Sequence, residues 1–97
     1  MEYRYNFLQG RYKAMESRSV GVIAIIIKER DTVACKVNDI FTQYGSIILG
    51  RIGLPYRERN LNIITLIVDA STDQIGALTG KLGRIEGVTV KSTLAKL

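Results

Sequence analysis

Two stretches of the chain are apolar on both sides of an extended backbone. Ser-Val-Gly-Val-Ile-Ala-Ile-Ile-Ile, residues 19–27, is β-branched and apolar on both faces, the composition of a central strand covered on each side. Asn62 to Asp69, with Ile63, Ile64, Leu66, Ile67 and Val68, has the same character and predicts a second central strand. Between them the period changes. Val33, Val37, Ile40, Phe41 and Tyr44 share one helical face after Asp31, a residue suited to capping, and Gly45 stands where a left-handed residue would stop the helix. Residues 46–54 form a weaker strand interrupted by Gly50 and Gly53, which predict a bulge or a bend. Pro55 then opens the polar connection Pro-Tyr-Arg-Glu-Arg-Asn, short enough for an antiparallel hairpin.

Downstream, Ile75, Leu78, Leu82 and Ile85 carry the helical period over Asp73 to Ile85. Ser71 and Gln74 fit a capping box, with Thr72 as the alternative cap, and Gly87 ends the helix. Val88, Val90 and Leu94 alternate with Thr89, Lys91 and Thr93, the pattern of a half-exposed edge strand. The order β-α-β-β-α-β predicts an α+β fold: a ferredoxin-like βαββαβ sandwich, an antiparallel four-stranded sheet with two helices on one face and strands one and three at its centre. Two helices cover only one face. Yet Ile23, Ile25 and Ile27 oppose Val22, Ala24 and Ile26, and Ile63 and Ile67 oppose Ile64, Leu66 and Val68, so both faces are apolar. The expectation is a homo-oligomer, dimer or tetramer, that buries the open sheet face, with Ile23, Ile25, Ile27, Ile63 and Ile67 as interface candidates.

Gly76, Gly80 and Gly83 fall within the second helical stretch at spacings i, i+4 and i+7. A helix-interior glycine is less favourable than alanine by roughly 1 kcal/mol, so three on one side need a reason. A phosphate-binding loop does not supply it: the spacing is one residue short, no Ser or Thr follows Lys81, and the glycines lie within a helix rather than before one. Close packing against the first helix, or against a helix of another subunit, is the preferred reading over direct ligand contact.

Ninety-seven residues make one small domain, placed at residues 17–97, with residues 1–16 as an N-terminal extension expected to be disordered. That extension holds Tyr3, Tyr5 and Tyr12, and Met15 raises the alternative of a later start in the reading frame. No apolar run approaches the ~20 residues that span a bilayer, and no secretory leader is recognisable, so a cytoplasmic location is expected. The lone Cys35 agrees with a reducing compartment and permits no internal disulfide. It is expected on the exposed side of the first helix.

The chemistry is sparse. There is no histidine, which removes the usual general base near neutral pH and the commonest metal ligand. Asp73 fits the first turn of a helix electrostatically, and this outweighs reading it with Asp69 as an acid and base pair. No catalytic residue, metal or cofactor is expected. Net charge is +5, from 14 basic and 9 acidic residues scattered along the chain. Arg51, Tyr56, Arg57 and Arg59 form the densest basic and aromatic cluster, suited to an anionic ligand or partner. A nucleic-acid-binding accessory protein using this hairpin and the Tyr/Arg-rich arm is the alternative function.

Three segments carry a family resemblance: Gly50-Arg-Ile-Gly-Leu-Pro-Tyr-Arg-Glu-Arg, Ile64-Thr-Leu-Ile-Val-Asp69, and Asp73-Gln-Ile-Gly-Ala-Leu-Thr-Gly-Lys-Leu-Gly-Arg-Ile-Glu-Gly-Val88. Over about residues 17–95 the chain resembles the iron-only hydrogenase system regulators, and the glycine helix with the strand after it is the most specific part. The family is similar to stand-alone ACT-type domains and to the C-terminal domain of the nickel-responsive repressor. The resemblance implies a ferredoxin-like oligomeric module with a regulatory role in hydrogenase systems. The leading expectation is a non-enzymatic ACT-like regulatory module that assembles through its sheet and glycine-bearing helix and binds a small effector where subunits meet. The nickel repressor's DNA-binding domain and its histidine ligands have no counterpart here. The glycine of amino-acid-binding ACT domains after the first strand is replaced by Lys28-Glu29-Arg30-Asp31.

Overall fold

The computed structural model describes residues 18–28 and 31–95. The extension expected over residues 1–16 lies outside them. Six regular elements follow in order: β1 (Ser19–Lys28), α1 (Asp31–Gln43), β2 (Ile48–Tyr56), β3 (Leu61–Ala70), α2 (Thr72–Gly83) and β4 (Val88–Ala95). A short 3-10 turn, Arg57–Arg59, links β2 to β3. The strands form one antiparallel sheet in the order β2-β3-β1-β4, so the two strands apolar on both faces are its central pair. This is the ferredoxin-like βαββαβ arrangement expected from the sequence.

Both helices lie on one side of the sheet. Val33, Val37 and Phe41 of α1 and Ile75, Leu78 and Leu82 of α2 join Ile23, Ile25, Ile27, Leu66, Val68 and Ala70 in one buried cluster. Burying side chains of this size stabilises by roughly 1.5–3 kcal/mol each, so this single layer carries the fold. Lys81 of α2 joins the helices across their outer surface: its Nζ donates to Gln43 Oε1 at 3.2 Å and lies 5.2 Å from the centre of the Tyr44 ring.

The start of α2 is closed by the expected capping box. Gln74 N donates to Ser71 Oγ at 3.2 Å and Ser71 N donates to Gln74 Oε1 at 3.0 Å. The helix stops at Gly83, before the apolar period ends, and Gly87 lies in the turn before β4 with φ 88°. There it takes the left-handed role expected of Gly45. Among the described glycines only Gly87 has positive φ, while α1 ends in a turn in which Tyr44 N donates to Ile40 O at 3.1 Å.

Pro55 does not end β2. The strand runs on through Pro55, opposite Asn62, to Tyr56, opposite Leu61. An edge strand tolerates proline because alternate N–H groups point away from the ladder. The expected irregularity near Gly50 is a register shift between Ile48 and Gly50. Asn60 closes the hairpin with φ 53°, a left-handed conformation that asparagine adopts more readily than most residues, and its N–H donates to Arg57 O at 3.1 Å.

Beyond the bulge the hairpin leaves the body. Every residue from 51 to 60 is exposed, on whichever side it points. The described residues extend over 44 × 25 × 22 Å, with a radius of gyration of 13.7 Å.

Gly21 shows how tightly β1 and β4 approach. A Cβ there would meet Thr93 O and Leu94 Cδ2 at 2.5 Å. The carbonyl is backbone, so the strands would have to separate. Gly21→Ala is expected to cost about 1–3 kcal/mol, a fall in Tm of roughly 4–8 °C per kcal/mol, measured by thermal unfolding.

Candidate functional site

The side of the sheet away from the helices carries most of the exposed large apolar side chains among the described residues. Antiparallel pairing sets Ile23 opposite Leu66 and Ile25 opposite Ile64, so an odd-numbered residue of β1 shares its face with an even-numbered residue of β3. The expected grouping of Ile23, Ile25 and Ile27 with Ile63 and Ile67 therefore does not hold. Ile23, Ile25 and Ile27 are at most 3% exposed and belong to the core. Ile63 and Ile67 do lie on the open face, opposite Ile26 and Val22. The alternation along each strand supplied two candidate faces, and only the register between strands decides which one the helices cover.

The open face gathers Val20, Val22 and Ile26 from β1, Ile63 and Ile67 from β3, and Ile52, Leu54 and Tyr56 from β2. Leu54 is 59% exposed, Ile52 52% and Val22 44%, values unusual for neighbouring large apolar side chains on one sheet. The period-two apolar run Ile52, Leu54, Tyr56 was the signal for this extension onto the hairpin; reading Pro55 as a strand end hid it. Charges stand around the rim at Lys28, Asp69 and Lys91. Asp69 Oδ2 accepts from Arg18 Nη1 at 2.9 Å, both side chains being about a quarter exposed. An ion pair this wet contributes at most about 1 kcal/mol.

The four residues expected to grip an anion are not brought into one site. Arg51 and Tyr56 have opposite parity along β2 and so point to opposite faces, about 16 Å apart along the strand. Arg57 and Arg59 sit in the exposed 3-10 turn beyond them. Arg51 instead turns toward α1, with its guanidinium carbon 5.4 Å from the centre of the Phe41 ring. There it borders a cleft of about 380 Å³, lined also by Asn38, Thr42, Ile48 and Leu49. Sequence reading missed this cleft because its lining comes from two elements whose relative placement no local pattern encodes.

Gly76, Gly80 and Gly83 are exposed, and a Cβ built at any of them meets nothing within 4 Å. Packing against α1 is thus excluded within the chain. Lys81, which reaches Gln43 and Tyr44, shows that α1 lies along the other flank of α2. The wheel placed the glycines beside the core stripe without telling which flank faces α1.

Among the described residues, no group of three or more His, Cys, Asp or Glu is arranged to hold a metal ion, and no helix is long and apolar enough to cross a membrane. Cys35 is exposed.

A single antiparallel sheet with two helices on one face and exposed apolar side chains on the other defines a ferredoxin-like α+β domain. The family comparison narrows this. Residues 19–92 match the TM1266-like family, described as iron-only hydrogenase system regulators, and the chain belongs to that family. It is similar to the uncharacterized protein TM1266 from Thermotoga maritima, with 38% identity and a TM-score of 0.79 over 81% of this chain and 99% of that one. An unknown protein from Galdieria sulphuraria shares the fold alone, at 10% identity and a TM-score of 0.56, over 82% of this chain and 46% of that one. None of the curated proteins matches.

The glycine flank yields a test. With open space at each Cβ, Gly80→Ala should raise the stability of the isolated chain by about 1 kcal/mol through helix propensity, read as a higher Tm. Gly80→Leu separates free from occupied: unchanged oligomer size means that no second helix approaches there, and a smaller oligomer means that one does.

Proposed function

We propose that the chain is a non-enzymatic, ACT-like regulatory module of the cytoplasm that self-associates through its open sheet face and acts in the control of an iron-only hydrogenase system, with a small-molecule effector as its signal. The observation that carries the assembly is the unbroken apolar surface from Val22 across Ile63 to Leu54. The family description supports the regulatory setting.

A second copy suits this surface better than an unrelated partner. Four strands ~4.8 Å apart and about ten residues long, at ~3.3 Å per residue, give a face of roughly 600 Å² before side-chain relief is added, close to the ~800 Å² per partner of a stable complex. Its centre holds Ala24, Thr65 and aliphatic side chains, while Lys91 lies on the edge strand β4 and Lys28 and Asp69 near the strand ends, so a two-fold contact centred on β3 keeps the charges at its border. The projecting hairpin adds Ile52 and Leu54, both more than half exposed.

Sedimentation velocity of the full chain at micromolar concentration is expected to show a dimer or tetramer. Leu54→Glu removes ~1.5–3 kcal/mol of burial from each copy, so it should weaken a two-fold contact by about a hundredfold or more while leaving the circular dichroism of the fold intact. A strict monomer for the unsubstituted chain, or an assembly indifferent to Leu54→Glu, sinks the proposal.

A further inference from the structure

The cleft between α1 and the start of β2 lies on the helix side of the sheet and takes no part in the contact proposed above. Its volume of about 380 Å³ falls within the ~300–1,000 Å³ typical of small-molecule sites. One wall is apolar, made by Phe41, Ile48 and Leu49. The polar groups are few and differ in kind, and together they specify a ligand.

Arg51 is the charged group. The register shift between Ile48 and Gly50 turns it to the helix side, opposite Leu66, where an edge strand would ordinarily place an apolar residue. Its guanidinium carbon lies 5.4 Å from the centre of the Phe41 ring, within cation–π range, which draws the group toward the cleft. Among the described residues no carboxylate lines the cleft, and Arg51 makes no ion pair or hydrogen bond. An unpaired guanidinium beside an apolar wall is matched by one carboxylate on an apolar body.

The neighbouring side chains refine the match. The Asn38 amide makes no hydrogen bond among the described residues, so it can donate beside Arg51. Thr42 Oγ1 already donates to Asn38 O at 3.0 Å, which leaves its oxygen as an acceptor. The cleft thus offers one positive charge, one further donor and one acceptor. A phosphate dianion would leave a charge unmatched, whereas a monocarboxylate with a short apolar body is neutralised by Arg51 alone.

We propose that this cleft binds a small organic monocarboxylate, its acid group on the Arg51 guanidinium and the Asn38 amide and its body against Phe41, Ile48 and Leu49. The site needs no second subunit, so its failure and the failure of sheet-face assembly are separate results.

The test is a titration of the isotopically labelled full chain, followed by backbone amide shifts, with sodium benzoate, isovalerate and lactate as probes and inorganic phosphate as the comparison anion. At least one carboxylate should give saturable shifts confined to Asn38–Thr42 and Ile48–Arg51, with phosphate weaker. Arg51→Gln should weaken that binding about tenfold or more, and Arg51→Lys, which keeps the charge but loses the fork, should fall between. Arg57→Gln should leave it unchanged. Because Arg51 is exposed, either Arg51 variant should keep the spectrum of the fold outside the cleft. The proposal is overturned by the absence of saturable shifts at the cleft with all three carboxylates, by phosphate binding there as tightly, or by binding that survives Arg51→Gln.

Discussion

The constraint from which the rest of the structure follows is one-sided coverage. β1 and β3 are apolar on both faces, and the described residues supply only two α-helices, both on the same side. On that side Ile23, Ile25, Leu66, Leu78 and Leu82 are fully buried and the core is complete. On the other, Val22, Ile52 and Leu54 keep between two-fifths and three-fifths of their surface in water. A small domain has few ways to bury more surface without lengthening its chain. Leaving a sheet face open while filling it with β-branched and aliphatic residues is compatible with stability when another layer closes it.

The sequence carried the elements more plainly than their phase. Helix starts, the Ser71–Gln74 capping box, the central strand pair and the edge character of β4 all depend on local chemistry within a few residues, and all were legible. The facing of β1 was not. When both sides of a strand are apolar, the period of two survives but its phase carries no information, and the β1–β3 register alone assigns Ile25 to the core and Ile26 to the surface. The same limit applied to α2, whose two flanks look alike on a wheel until Lys81 is seen to reach Gln43. Pro55 misled for another reason: its missing N–H is disruptive inside a sheet and harmless at an edge, and edge position is a property of the whole sheet.

Of the candidate ligand residues, Arg51 borders the cleft between α1 and β2, and it does so because a bulge inverted the facing of its strand. A bulge adds one residue to one strand and re-aims every side chain after it. In β2 this single irregularity has two effects at once. It carries Ile52, Leu54 and Tyr56 onto the open sheet face, and it carries Arg51 away from that face toward Phe41. The apolar surface is kept free of a charge and the cleft acquires one.

The overhanging hairpin divides the domain into regions of unequal stability. The body is held by a common core, so its amides exchange with solvent only when that core opens. Residues 51–60 are exposed throughout and are held chiefly by pairing to the outer end of β3. Such a segment can open and reclose at a fraction of the global free energy, without the body noticing. Slowly exchanging hydrogens would therefore mark Ile25 and Leu66, while the far end of the same sheet would lose its hydrogens early. The strands are continuous in geometry and discontinuous in cooperativity, and the border between the two regimes runs across the middle of β3.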